Sequence, residues 1–422
     1  MSQTVTYVRV SDLALAYKRS TTKLYRTYTR RVPEYSWTDD IPDEDIIPSG
    51  RQNLIPLDVQ RGVGAAQIAD AGFEAQTTTP QLQEGSFVFN HTNARFAISL
   101  RAQAFDKAAR GNFIIRQIKY QSIKCIEAVM RKWALMYYGF STAVLCQCNG
   151  SQGSNTSHTI TLKNGFGLTT ITNPTYLANM FAIGEGVALI SGGALVANAI
   201  GVVTAVDNVN GTITVSWGGN SVTITDGNQI VFANAVTDAT ITATDSGNWN
   251  VGLLDANVSD SVHNLAKSAV PTWGPALYDT TGGSLGFVKV KKMRQALENN
   301  GDTTLRRVVY SNGVENDFQA RERAALLWTN SGAMNVDANV KAKGVSFDTS
   351  RFVPPTYAFC IGADAMGKKV ITEKPGEDDT IDFGQLYKAE DRSALKGGVD
   401  VISAVIYRSR SRIGAYGALN EQ

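Results

Sequence analysis

From Ser151 to Asn250 the chain carries only six charged side chains, Lys163, Glu185, Asp207, Asp226, Asp238 and Asp245. No other feature constrains the fold as strongly. Strand-forming runs recur there between turn signals: AIGVVTAVD, Asn210-Gly211, TITVSW, NSVTIT, Asp226-Gly227, QIVFANAV and ATITATD. Asn-Gly between alternating runs is the strongest short-range hairpin signal. The expectation is a small antiparallel barrel or sandwich over 165–255, inserted as a unit of its own.

Upstream of this stretch the period is different. Ile115, Ile118, Ile126, Val129, Trp133 and Met136 fall on one stripe at helical spacing, with Arg116, Lys119, Lys124, Arg131 and Lys132 off it. The pattern predicts a helix of about 25 residues, near 37 Å long at 1.5 Å per residue. Its expected end is Tyr138-Gly139, where glycine can take a left-handed cap.

The N-terminal region is dipolar. Arg9, Lys18, Arg19, Lys23, Arg26, Arg30 and Arg31 face a single acid, Asp12, in the first 31 residues, and then Glu34, Asp39, Asp40, Asp43, Glu44 and Asp45 follow without a base up to Gly50. Such an arm has little apolar surface of its own and reads as an extended segment that docks against something else. Residues 51 to about 90 hold several glycines and the polar run QTTTPQLQEG, and alternation appears in SFVFNHT and RFAISLR. Two long strands joined by a wide loop are expected, with Phe87 and Phe89 on one face.

After the uncharged stretch, FVKVKKMRQALENN reads as a helix ending at Gly301, RRVVYSN as a buried strand and GVENDFQARERAALLW as a second helix. This alternation predicts helices layered on a sheet. At the C-terminus, Val399, Val401, Ser403, Val405 and Tyr407 alternate with Asp400, Ile402, Ala404, Ile406 and Arg408. That reads as a long strand that spans a core and emerges, basic on one face, at an edge.

The 422 residues with 38 glycines against 11 prolines suit two or three packing units rich in turns. A net charge of +2 excludes a nucleic-acid binder driven by bulk charge but leaves local patches open. No apolar run approaches the roughly 20 residues of a membrane helix, and the N-terminus lacks the order of a signal peptide, so assembly in a cytoplasm is expected. The four cysteines, Cys125, Cys146, Cys148 and Cys360, include a C-x-C too tight for a relaxed disulfide and not at zinc spacing. Reduced, mostly buried thiols are expected. H-E-x-x-H and the phosphate-binding loop are missing, and Gly165-Phe166-Gly167 sits in a polar stretch without a third glycine.

The order of these parts carries a resemblance. So do RFAISLRAQAFDKAARGNFIIRQIKYQSIKCIEAVMRKWALMYYG, PTWGPALYDTTGGSLGFVKVKKMRQAL and RSALKGGVDVISAVIYRSRSRIGAYGAL. Together they resemble the α+β Hong Kong 97-type capsid fold of the major capsid proteins of tailed double-stranded DNA phages. On that resemblance the chain divides into an N-terminal arm (1–50), an extended loop (51–95) and a peripheral domain with its spine helix (96–150). The β-rich insertion (165–255), the axial domain (256–380) and a terminal peripheral-domain strand (381–422) follow.

The resemblance implies a structural protein of the virion, not an enzyme, with no cofactor. It implies self-assembly into hexamers and pentamers that close an icosahedral head in the host bacterial cytoplasm. Implied partners are a separate scaffolding protein, the portal, a decoration or cement protein, and packaged double-stranded DNA held non-specifically. Arg19, Lys23, Arg26, Arg30, Arg31, Asp39, Asp40, Asp43, Glu44, Asp45, Phe87 and Phe89 would lie at subunit interfaces. Arg116, Lys119, Lys124, Arg131 and Lys132 would face the interior. Two departures stand out. The arm starts almost at Met1, where many such proteins carry a scaffolding region, and the loop from Arg51 to Asn90 has no lysine to begin a lysine–asparagine crosslink. Competing readings are an encapsulin-like nanocompartment shell protein, a β-domain adhesin and a hydrolase with an accessory β domain. The inserted barrel, the missing signal peptide with the long helix, and the missing motifs count against these in turn.

Overall fold

The structure, a computed structural model, describes residues 47–49, 52–60, 81–87, 89–99, 112–233, 251–301, 303–329, 345–371, 387–388 and 394–421. One compact unit draws on 88–135 and 367–405, and a second on 43–87, 136–366 and 406–422.

In the first unit the helical stripe becomes the helix Asn112–Tyr138. Ile126 and Val129 are buried as the spacing requires, but from Trp133 to Tyr138 every side chain is buried, so the stripe widens to the whole circumference. The helix ends where expected, by another device. Gly139 is not left-handed, and its N–H donates back to Met136 O at 3.3 Å, tightening the last turn. The strand Ala394–Tyr407 pairs antiparallel with Asn90–Ser99 over ten residues, from Ala394↔Ser99 to Ser403↔Asn90. Tyr387–Lys388 and Met366–Ile371 belong to the same sheet. The long strand is therefore interior to a four-stranded sheet, not an emerging edge.

The second unit has three parts. Ile47–Ser49, Gln52–Gln60 and Gln81–Phe87 form an antiparallel ribbon, with Asn53↔Phe87 and Gln60↔Gln81 closing its register. The run SFVFNHT is thereby split. Phe87 ends one strand, Phe89 lies in the break, and Asn90 opens a strand of the other sheet, so the two phenylalanines do not share a strand face.

The uncharged stretch supplies most of a closed six-stranded barrel. Its strands, in order around the wall, are Thr212–Ser216, Ser157–Lys163, Val144–Cys148, Gln229–Phe232, Gly186–Ser191 and Ala194–Asp207. Alternation sets its interior: Ile160, Leu162, Ile213 and Val215 point in, while Thr159 and Ser157 are exposed. The barrel begins at Val144, well before residue 165. Asn210-Gly211 makes the expected hairpin, with Gly211 at φ 64°. Asp226-Gly227 does not. Its flanking strands belong to different sheets, Val222–Ile224 pairing with Gln152–Asn155, so the turn carries the chain between them. Phe166 of Gly165-Phe166-Gly167 is buried, against the polar-loop reading. ATITATD lies outside the described residues.

The third part is the sheet Leu277–Asp279, Ile413–Tyr416, Ala358–Gly362, Leu305–Tyr310 and Ser346–Thr349, in that order. The helices Phe287–Ala296 and Asn312–Thr329 follow the sequence reading, and Val290, Met293, Val314 and Phe318 pack with Val308, Cys360 and Tyr416. Ile413–Tyr416 corrects the terminal assignment: after the long strand the chain returns to this sheet as its second strand. Barrel and sheet are tied within one unit. The Tyr176 hydroxyl donates to Phe352 O at 2.8 Å, and the Thr170 and Tyr357 hydroxyls lie 3.0 Å apart.

Candidate functional site

The ribbon meets the rest of its unit at a turn that sequence reasoning passed over. Ser261–Val262 and Leu265–Ala266 pair antiparallel across His263 and Asn264, whose φ values are 52° and 62°. Two consecutive left-handed residues make a two-residue primed turn, and Asn and His are among the non-glycine residues that tolerate it. The Ser86 N–H donates to His263 O at 3.0 Å, and Asn264 Nδ2 donates to Ser86 Oγ. The Phe87 ring stands edge-on to the His263 ring at 6.3 Å. Leu57 is fully buried beside Gly85, where an added Cβ would lie 2.2 Å from Leu57 Cδ1 and 3.3 Å from His263 Cβ.

On its other side His263 meets the end of the long strand. Its Nε2 accepts the Tyr407 N–H at 3.0 Å, which assigns the ring proton to Nδ1. Burial, with the Arg410 charge adding to it, holds this imidazole down to about 4, so the ring is neutral at pH 7.

Arg410 is the second node. It is completely buried, and its Nε, Nη1 and Nη2 donate to the carbonyls of Ala256, Asp260 and Ser259 at 2.8, 3.1 and 2.7 Å. Ala256 and Ser259 lie at the C-terminal end of the short helix Leu253–Val258, where carbonyls lack helical partners and a cation is favoured. Burial lowers its guanidinium to about 10, opposed by Asp255, Asp260 and Tyr407, and it stays charged. Asp255 accepts the Ser141 N–H at 3.0 Å and the Ser259 hydroxyl. The alternation R-S-R-S-R suggests a solvent face, so nothing local marked Arg410 as buried. The break of two polar residues between Val262 and Leu265 was the available signal for His263.

The anticipated interface residues fare unevenly. Arg19, Lys23, Arg26, Arg30, Arg31, Asp39, Asp40, Asp43, Glu44 and Asp45 lie outside the described residues. Phe87 is buried in its own chain and Phe89 half-buried. Arg116 and Lys119 lie on the long helix, but their side chains are outside the description. Lys124 is exposed on the face it shares with Tyr120 and Ala128, pairs with Glu127 at 2.8 Å and lies 5.8 Å from the Tyr120 ring centroid. Arg131 and Lys132 are half-buried. Among the described residues no group of three or more His, Cys, Asp or Glu side chains could hold a metal ion, and the four thiols are buried and unpaired with one another. A cavity of about 490 Å³ is lined by Glu298, Thr303, Thr304, Ala363, Asp364 and Arg412.

No protein-family model and no curated protein matches the chain. Solved structures are similar to it at low identity over most of its length. A subunit of the cyanophage A-1(L) capsid is 11% identical, with 92% of this chain and 93% of that one covered and a TM-score of 0.47. A capsid chain of a native GTA particle is 10% identical over 99% and 93%, with a TM-score of 0.43. The SrpI encapsulin of Synechococcus elongatus PCC 7942 is 9% identical over 93% and 89%, with a TM-score of 0.39. The chain thus resembles subunits of phage capsids and of an encapsulin.

Proposed function

We propose that this chain is a shell-building protein, the major capsid protein of a tailed double-stranded DNA phage, assembling as hexamers and pentamers of an icosahedral head. The ribbon is the observation that carries the reading. Among the described residues, strands Gln52–Gln60 and Gln81–Phe87 meet the rest of their unit at Leu57, Gly85, Ser86 and Phe87. A narrow antiparallel ribbon is marginal alone and its edges invite pairing, so a neighbouring copy is its natural support. In this reading the charged arm of residues 1–45 sets register between copies. The helix face bearing Lys124 and Arg131, with Arg116 and Lys119, meets scaffold and then packaged DNA by charge neutralisation without base readout. A portal and a decoration protein complete the particle.

Negative-stain microscopy with light scattering tests the reading, with and without a scaffolding partner. Closed shells are expected, and a compact monomer under both conditions would overturn it. Deleting Gly62 to Gln83 should leave a folded subunit that makes no shells. Nuclease-protected DNA inside the shells separates a phage head from a nanocompartment, which would hold protein cargo. Replacing Lys119, Lys124 and Arg131 by glutamine should lower packaged DNA and leave empty shells intact.

A further inference from the structure

We propose that His263 is an acid-operated latch, holding the root of the ribbon and the end of the long strand together only while its ring is neutral. The geometry makes one residue the tie between them. Its carbonyl takes the Ser86 N–H, its ring meets Phe87, and its Nε2 takes the Tyr407 N–H at 3.0 Å. A proton on Nε2 would turn the acceptor into a donor facing another donor, and the Tyr407 bond would be lost. The new charge would sit in a buried place where the described residues offer it no acceptor. The ribbon offers Gly85, Ser86 and Phe87, all uncharged. The long strand offers the Tyr407 phenol, whose ring centroid is 5.9 Å away, and the segment beyond it offers the Arg410 cation. Asp255 and Asp260, the nearby acids, act on Arg410. Only an opened root can hydrate the protonated ring.

The sign follows from linkage. The closed form binds this proton at about 4 and the open form at the ordinary 6.5. The latch is therefore at full strength above about pH 6.5 and weakens progressively as pH falls to about 4. The open-to-closed ratio rises by roughly 100-fold between pH 7 and pH 4, toward a limit of roughly 300-fold below both values. Nothing in this depends on whether the ribbon touches a neighbour, so its failure would leave the shell reading standing.

Amide hydrogen exchange on the full, unassembled chain between about pH 7 and pH 4, corrected for intrinsic rates, tests the latch. The Ser86 and Tyr407 amides should lose protection together as pH falls, by roughly 100-fold, while the barrel strand Gly186–Ser191 stays protected. His263→Gln keeps a side-chain acceptor that does not titrate and should abolish the acid step, whereas His91→Gln should leave it unchanged. An acid step that persists in His263→Gln, its absence in the wild type, or simultaneous loss of barrel protection would each overturn the proposal. Should His263→Gln fail to fold, imidazole titration by NMR decides on the wild type. One of the three histidines must titrate at the pH of the exchange step, and a step without one refutes the latch.

Discussion

Substituting Gly252 sets two well-understood effects against each other. Gly252 is the N-cap of Leu253–Val258 at φ −90° and ψ 178°, extended backbone open to any residue. Removing glycine from such a position stabilises by about 0.4–1 kcal/mol through the unfolded chain, and serine there would add a cap worth only about a few tenths of a kcal/mol over glycine. Packing opposes both. A Cβ at this position would lie 2.3 Å from Gly139 O, 2.6 Å from Met136 O and 2.7 Å from Gly139 N. All three are backbone atoms at the end of the long helix, and the adjacent Asp255–Ser141 bond at 3.0 Å resists their separation. Relief needs a shift of about 1 Å in closely packed surroundings, which places the cost at or above the usual ~1–3 kcal/mol of overpacking. The net expectation is a loss of about 2–3 kcal/mol for Gly252→Ala and no rescue by Gly252→Ser. Urea unfolding followed by tryptophan fluorescence measures it. A neutral or stabilising Gly252→Ala would refute the close approach of these segments.

Other perturbations probe single nodes. Arg410→Lys keeps the charge but offers one nitrogen to three carbonyls, so a loss of about 2–3 kcal/mol is expected in the same unfolding assay. Trp217→Phe removes the 2.8 Å bond from Trp217 Nε1 to His158 Nδ1, leaves that buried acceptor unpaired, and should destabilise the barrel by about 1–3 kcal/mol, read by loss of near-ultraviolet dichroism at lower denaturant. Burial pushes the Cys125 thiol up to about 11, Cys148 and Cys360 up to about 12, and Cys146 well above its ordinary value. A thiol reagent at pH 8 should therefore label none of the four in the native chain and all of them in guanidinium.

Elements with many repeats of one period were legible in the sequence, and short or shared ones were not. The 27-residue helix declared itself because its apolar positions recur over several turns. The Asn210-Gly211 hairpin did so because only a few residues accept positive φ. Val144–Cys148 has five residues and follows the helix closely, so no period distinguished it as the first barrel strand. Ile413–Tyr416 has four, and its place beside Leu277–Asp279 and Ala358–Gly362 depends on partners far away in sequence. The site shows the same limit. His263 and Arg410 owe their roles to backbone N–H and carbonyl groups of distant segments, and backbone groups leave no mark on composition.

That dependence on distant segments also orders the folding of the chain. The barrel pairs strands over spans that run from the short turn between Ala194–Asp207 and Thr212–Ser216 up to the 87 positions between Val144 and Val231. The latch joins Tyr407 to His263 across 144 positions and Asn264 to Ser86 across 178. Closing such loops costs entropy that only finished neighbouring structure can offset, so the root of the ribbon should dock last. The His263 turn must already be formed, because its left-handed backbone supplies the carbonyl that Ser86 meets. Pulse labelling of amides during refolding should therefore protect Gly186–Ser191 first and Ser86 with Tyr407 last. Protection of Ser86 before the barrel, or in step with it, would refute this order and would mean that the ribbon docks on something other than the His263 turn.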